Sequence, residues 1–264
     1  MINGKKVALV LGGGASKGFA HVGVLKVLEQ NGIIPDIIVG TSMGSVIGGI
    51  YACGMTLPEM EKQCLSVKIK DFADVNIFSI IKQGMVTGKK LIKYIEKLSN
   101  NALIENANIK FACVSCDIKT GKEYVFKDGK LSTAVRASSA VPALFAPLKH
   151  KGMLLVDGGV VNNIPSNVAK QMGADYIISV DCVGNNYLMP KIKTFLDIMM
   201  ASFNILQHEY EKVKRNCANS KIVIKNEKYG FVELKPECVK EIIGMGERAT
   251  KKKIAKIKKD LKMI

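Results

Sequence analysis

Asp36-Ile37-Ile38-Val39-Gly40-Thr41-Ser42-Met43-Gly44-Ser45-Val46-Ile47-Gly48-Gly49-Ile50 is the stretch that decides the fold. Ile37 to Val39 are three β-branched residues in a row and predict a buried strand. Gly40-Thr41-Ser42-Met43-Gly44 matches Gly-x-Ser-x-Gly, and the helical spacing of Val46, Ile47, Ile50 and Tyr51 follows, ending near Gly54. A strand, this pentapeptide and a helix together make the context of a nucleophile elbow. The turn is too tight for side chains beside the serine, so Gly40 and Gly44 let its backbone take a strained conformation. The Ser42 hydroxyl would then stand at the positive N-terminus of the following helix, where developing negative charge is favoured.

Working outward, Lys6 to Leu11 predicts a strand that runs into Gly12-Gly13-Gly14-Ala15-Ser16-Lys17-Gly18. A helix follows, with Phe19, Val22, Leu25 and Leu28 on one face and Gly32 as its stop. Strand, glycine loop, helix and strand form a βαβ unit of a parallel sheet. Downstream, Thr56-Leu57-Pro58-Glu59 is a capping box that opens a helix to about Val67. Lys68 to Thr87 reads as an irregular, mobile excursion, and Lys89 to Ser99 as an amphipathic helix. Ile109 to Ile118 and Glu123 to Phe126 form a strand pair, and Ser132 to Ala140 a helix stopped by Pro142. Met153 to Val156 is a short strand running into Asp157-Gly158-Gly159. Pro165 opens a helix, and Tyr176 to Val180 is a strand. Ile192 to Cys217 predicts a long helix and Lys221 to Lys225 a short strand. In the terminal segment Thr250, Ile254, Ile257, Leu261 and Ile264 form a narrow apolar stripe among lysines. That stripe suits a helix docked on the domain better than one lying on a membrane.

The bulk numbers bound the reading. With 264 residues and 48% hydrophobic content, the chain can bury a sizeable core. Met1 to Lys6 is too short and polar for a signal peptide, and the apolar region from Ile33 to Met55 is broken by Pro35, Asp36, Ser42 and glycines. Seven cysteines, mostly in apolar runs, suit reduced thiols and a cytoplasmic location. Cys113 and Cys116 are three apart on a strand, hence on opposite faces, which disfavours zinc or redox use. The net charge of +16 comes mostly from lysine, since Arg136, Arg215 and Arg248 are the only arginines. Arginine is the preferred reader of base edges. The charge therefore fits peripheral contact with an anionic membrane surface, or a solvated lysine surface, better than specific nucleic-acid binding.

The glycine loop has two chemical readings. A strand, glycines and a helix are similar to a dinucleotide fingerprint, but Lys17 stands where its last glycine belongs. Gly40-Thr41-Ser42 also replaces the acidic residue expected at the end of the second strand, so no dinucleotide cofactor is expected. Acyl transfer uses more of the chain. Attack by Ser42 on an ester creates an oxyanion, and backbone donors are worth on the order of 3 kcal/mol each. The loop Gly13, Gly14 and Ala15 lies where it can supply such donors, with Lys17 adding positive charge. For the base, a triad needs histidine, and His21, His150 and His208 are the candidates; none is predicted at a strand C-terminal end, whereas Asp157 is.

In order along the chain, the Gly-rich loop, Gly40-x-Ser42-x-Gly44 and Asp157-Gly158-Gly159 resemble the patatin-like phospholipases. The resemblance covers roughly Lys6 to Val180 and includes Ala137-Ser138-Ser139-Ala140-Val141-Pro142 and Asn162-Asn163-Ile164-Pro165. It implies an α/β fold with a central, mostly parallel sheet flanked by helices, a catalytic domain over 1–182 and a helical extension over 183–264 packed on it. It implies a lipid acyl-ester hydrolase without metal or cofactor, with Ser42 as nucleophile, Asp157 as base and Gly13, Gly14, Ala15 and Lys17 in the oxyanion hole. It implies nothing about oligomeric state. The family loop carries glycine where Ala15 stands, and a positive φ there costs alanine about 1 kcal/mol or more. Two rivals remain at this point: a triad esterase using His208 or His150, and an inactive lipid-surface or regulatory protein of the same fold.

Overall fold

The structure is a computed structural model that describes residues 1–72, 86–184, 192, 195–214, 216–226, 228–230 and 233–264. Strand β1 (Val7–Leu11) is followed by a 3-10 turn (Ala15–Phe19) and helix α1 (Ala20–Gln30). Then come β2 (Ile37–Thr41), α2 (Met43–Ala52), α3 (Leu57–Ser66) and the one-turn α4 (Ile69–Phe72). Most of the excursion expected between Lys68 and Thr87 lies outside the described residues. After it come α5 (Lys89–Ser99), β3 (Lys110–Asp117), β4 (Lys122–Phe126), α6 (Leu131–Ser138), β5 (Leu148–His150) and β6 (Met153–Asp157). The chain ends with α7 (Ser166–Gln171), β7 (Tyr176–Asp181), α8 (Phe195–Val213), β8 (Ser220–Val223) and α9 (Pro236–Asp260).

The strands join in one sheet with neighbours β5-β6-β3-β2-β1-β7-β8, and β4 also pairs with β3. The pairings of β1 with β2 and β7, of β2 with β3 and of β7 with β8 are parallel. Those of β3 with β4 and β6, and of β5 with β6, are antiparallel. The central strands are apolar throughout because both sheet faces are covered. Val7, Leu9, Leu11, Ile38 and Ile178 join one core cluster with α1, α2 and α9. Ala8, Val10, Ile37, Val39 and Ile177 face a smaller cluster with Ile164, Val168 and Ala169 beside α7. Each fully buried leucine or isoleucine contributes about 1.5–3 kcal/mol. The capping box of α3 is formed, the Thr56 N–H donating to Glu59 at 3.1 Å.

The terminal helix α9 lies against α1, as its stripe suggested, with Val239, Ile242, Ile243, Ile257 and Leu261 in the main core. The helices cross at backbone contact. A Cβ on Gly23 of α1 would stand 2.0 Å from the Ile243 carbonyl oxygen, and one on Gly246 of α9 would stand 2.0 Å from that of Ala20. Gly244, two residues away and on the opposite side of the helix, would meet only the flexible end of Arg248 at 3.2 Å.

These two glycines make opposite predictions within one helix. Gly246→Ala must push α9 off α1 and should cost about 1–3 kcal/mol or more. Gly244→Ala should stabilise by up to about 1 kcal/mol through helix propensity. Urea titration of both variants followed by circular dichroism checks the pair.

Candidate active site

Each level along a strand edge accepts one neighbour, and β3 is used at every level near its end. Antiparallel β4 occupies Cys113 to Asp117 on one edge. Parallel β2 pairs with Lys110 to Val114, and antiparallel β6 with Ser115 to Asp117. Both overlap levels held by β4, so both lie on the other edge, end to end. Thr41, the last residue of β2, pairs with Val114, and Asp157, the last of β6, pairs with Ser115. The strands run in opposite directions, so their C-termini meet. Ser42 and Asp157 are thereby brought together by register alone. Asp157 does end a strand, as expected, but an antiparallel one that arrives from the opposite side.

Ser42 has φ 52° and ψ −124° and caps α2. This conformation costs a residue with a Cβ about 1–3 kcal/mol. What holds it is close packing. A Cβ on Gly44 would stand 2.0 Å from the Leu11 carbonyl oxygen, and one on Gly40 would stand 2.5 Å from that of Gly44. Neither glycine has a positive φ, so both serve close approach and the strain falls on Ser42 itself. The Ser42 N–H donates to Ser138 Oγ at 3.0 Å, and the Ser42 carbonyl accepts from the Ser45 N–H at 2.8 Å. The hydroxyl end is left to the site.

Asp157 is 1% exposed. Its Oδ1 accepts the Gly159 N–H at 2.7 Å. Gly158 permits the turn, because a Cβ there would stand 2.2 Å from the Val114 carbonyl oxygen. Burial pushes the carboxyl up to about 6, against the opposing effects of the Ser42 hydroxyl and the Gly159 N–H. Oδ2 makes no aligned hydrogen bond. Ser42 therefore interacts with the carboxyl without closing a well-aligned bond in this state, a geometry that substrate-free sites commonly show.

The glycine loop lies against the serine: a Cβ on Gly13 would stand 3.2 Å from Ser42 Cβ and 2.5 Å from Asn163 Oδ1. The Gly13 N–H is already committed to the Asn163 carbonyl at 3.3 Å. The N–H groups of Gly14 and Ala15 carry no bond among the described residues. Ala15 does take the left-handed conformation, at φ +48°. Lys17 is buried and lines no part of the cavity beside Ser42. Burial lowers its pKa, and the Cys182 thiol opposes the shift.

The cavity beside Ser42 encloses about 1060 Å³ of empty space, part of it open to solvent. Its floor is one face of α2, with Met43, Val46, Ile47 and Ile50. Its walls come from α3 and α5, including Met60 and Tyr94, and its lip from Ala15 and Ser139. Apart from serine hydroxyls, a glutamine and a tyrosine tip, the lining is apolar.

The histidines stand elsewhere. His21 is fully buried, with Nε2 2.8 Å from the Gly12 carbonyl oxygen, and burial pushes its imidazole down to about 4. His150 corrects an expectation, because it lies in a strand, β5. It does end that strand, but it pairs with Met153, at the opposite end of β6 from Asp157, and its ring lies 3.4 Å from the Tyr124 hydroxyl. His208 is carried on α8. Among the described residues none of the three rings bonds to Ser42 or Asp157. Sequence reasoning gave no role to Ser138 or Asn163, although both sit in motifs it had quoted. It had no signal for Gln207 of α8, whose amide occupies the position a Cβ on Gly159 would take, at 2.0 Å.

Over 192 residues the chain is 34% identical to human patatin-like phospholipase domain-containing protein 6, covering 69% of this chain and 14% of that protein. It is 35% identical over 190 residues to lysophospholipase NTE1 of Candida albicans, covering 69% of this chain and 13% of that protein. The chain thus spans about one seventh of these curated relatives. The crystal structure of VipD from Legionella pneumophila superposes with a TM-score of 0.55 at 15% identity, covering 94% of this chain and 66% of that one, which shows a shared fold. Residues 9–170 match the family model for patatin-like phospholipase, and the chain belongs to that family.

Proposed function

We propose that the chain hydrolyses acyl esters of lipids through a Ser42–Asp157 dyad, in the reduced cytoplasm. The observation that carries this reading is the meeting of the two strand ends beside an apolar cavity that Ser42 lines. Ser42 Oγ attacks the ester carbonyl while its proton passes to Asp157 Oδ2. The alkoxide leaves with that proton, and an acyl-serine remains. Water, deprotonated by the same carboxylate, attacks the acyl-serine and returns the proton to Ser42. The N–H groups of Gly14 and Ala15 are the available donors for the oxyanion. A buried carboxyl near 6 is a far better base than an ordinary aspartate near 3.9. The +16 charge supports substrate presented on an anionic lipid surface. The seven free thiols support the compartment.

Ser42→Ala and Asp157→Asn should each lower kcat about a thousandfold or more. The wild-type kcat/KM should rise with pH along a limb centred near 6, because the base must be ionised. Stability should move the other way. A carboxyl raised in the folded state contributes stability below its unfolded pKa and loses it as pH climbs through about 6. Asp157→Asn should therefore be more stable than wild type at pH 7, by on the order of 3 kcal/mol at most. Chain-length dependence gives a further check. Ten-residue α2 is about 15 Å long, and an extended chain advances about 1.25 Å per bond. With p-nitrophenyl esters KM should fall as the acyl chain lengthens to about twelve carbons, then level off. Ala15→Gly should raise stability by about 1 kcal/mol in denaturant titration, and a value unchanged or lower would remove the strain assigned to that residue.

A further inference from the structure

Helix α8 is built inside out. Apart from Met200, which is buried, its underside is polar and committed. Glu211 Oε1 accepts the N–H groups of Asn163 at 3.1 Å and Ile164 at 3.3 Å, Lys214 donates to the Asn162 side-chain oxygen, and Gln207 packs on Gly159. Positions 207, 211 and 214 share one helix face, and that face holds the turn after Asp157. The outward face is apolar: Ile198, Met199, Ile205, Leu206, Tyr210 and Val213 are all exposed, Leu206 at 68% and Val213 at 82%. Of the polar residues on this side, Glu209 is paired with Lys212 at 2.7 Å. A monomer in water gains nothing from such a face. The helix has no means of turning it inward without breaking the bonds of its underside.

We propose that α8 is the helix by which this protein lies on an anionic lipid surface, bringing the mouth of the Ser42 cavity to the bilayer. This rests on the lipid-hydrolase reading of the site and extends it to where the substrate is met. Charge selects the occupant. The chain carries +16, and basic residues flank the helix in sequence, Lys191 and Lys193 before it and Arg215 after it. A second copy would bring the same sign of charge to the contact, whereas an anionic bilayer brings the opposite one. No helix among the described residues is long and apolar enough to cross a membrane, and nineteen-residue α8, apolar on one side, has the design of a helix lying in the interface. The lysine-rich α9 is not that helix, since its stripe is largely spent on α1.

The test is co-sedimentation with phosphatidylcholine vesicles with and without phosphatidylserine. It needs no turnover, so Ser42→Ala should bind as wild type does, and failure of the hydrolase reading would leave this result standing. Leu206→Glu combined with Val213→Glu should lower partitioning onto anionic vesicles about tenfold or more, while Ile264→Glu, at an equally exposed position on the chain end, should change it less than about twofold. The chain has no tryptophan, so Leu206→Trp supplies a single reporter. The emission of this variant should shift to the blue on anionic vesicles, and that of Ile264→Trp should not. The proposal is overturned if wild type fails to bind anionic vesicles, if the double variant binds as wild type does, or if the emission of Leu206→Trp stays unmoved. It is equally overturned if light scattering finds a dimer that the double variant dissolves, since a second copy would then cover the stripe.

Discussion

Two strands ending nose to nose on one edge of β3 are the constraint from which the site follows. A hydrogen-bonded edge accepts one neighbour per level, so where β2 stops at Val114 the edge is vacant until β6 takes it from Ser115. The junction has to be sharp at both ends. Gly44 lets α2 leave across the backbone of Leu11, and Gly158 lets the chain leave across that of Val114. Both side chains at the junction are thus fixed by main-chain geometry, which is stiffer than any side-chain contact. This is how two single residues on strands of opposite direction are brought together, with the Gly159 N–H holding the carboxylate.

The same junction explains why the site is strained and desolvated together. Ser42 is held at a positive φ because its neighbours on both sides are locked to other elements, with its N–H on Ser138 and its carbonyl in the first turn of α2. Asp157 is buried because β6 ends inside the sheet and not at its rim. Strain in Ser42 costs about 1–3 kcal/mol, and desolvation of the Asp157 carboxyl is of similar size. The large apolar face of the sheet, with α1, α2 and α9 on one core, supplies the stability that lets the fold tolerate both. Ala15 adds a third local cost at φ +48° beside the same serine, in the part of the loop whose N–H groups carry no bond among the described residues.

What was legible in the sequence is what backbone sterics write into it. The elbow, the glycine loop and the turn after Asp157 each need glycine where a Cβ would strike a carbonyl, so they stand out at fixed spacing. Strands of the parallel core were legible because burial on both faces makes them continuously apolar. Three features were not. β5 is three residues long, with Lys149 exposed and His150 half-buried, so it reads as a turn. The direction of β6 depends on which strand it pairs with, and no local pattern carries that. The orientation of α8 was hidden for a different reason: helical periodicity shows that a helix has two faces, and says nothing about which one turns inward. The usual assumption buries the apolar face, and here the structure buries Gln207, Glu211 and Lys214 more deeply than Leu206 and Val213.

That inversion bears on how the site is divided. On one side of Ser42 the lining from α2, α3 and α5 is almost wholly apolar and matches a hydrocarbon chain. On the other, the turn after Asp157 is held by Asn162, Asn163, Glu211 and Lys214, a polar cluster with ionic members. An ester of a lipid has the same two halves joined at one carbonyl. A cavity apolar throughout would leave a polar headgroup unsolvated, and one polar throughout would leave the chain in water. The strand junction sets Ser42 at the boundary between the two environments, which, under the reaction proposed above, is where the scissile carbonyl of such a molecule would lie if both halves are to be matched.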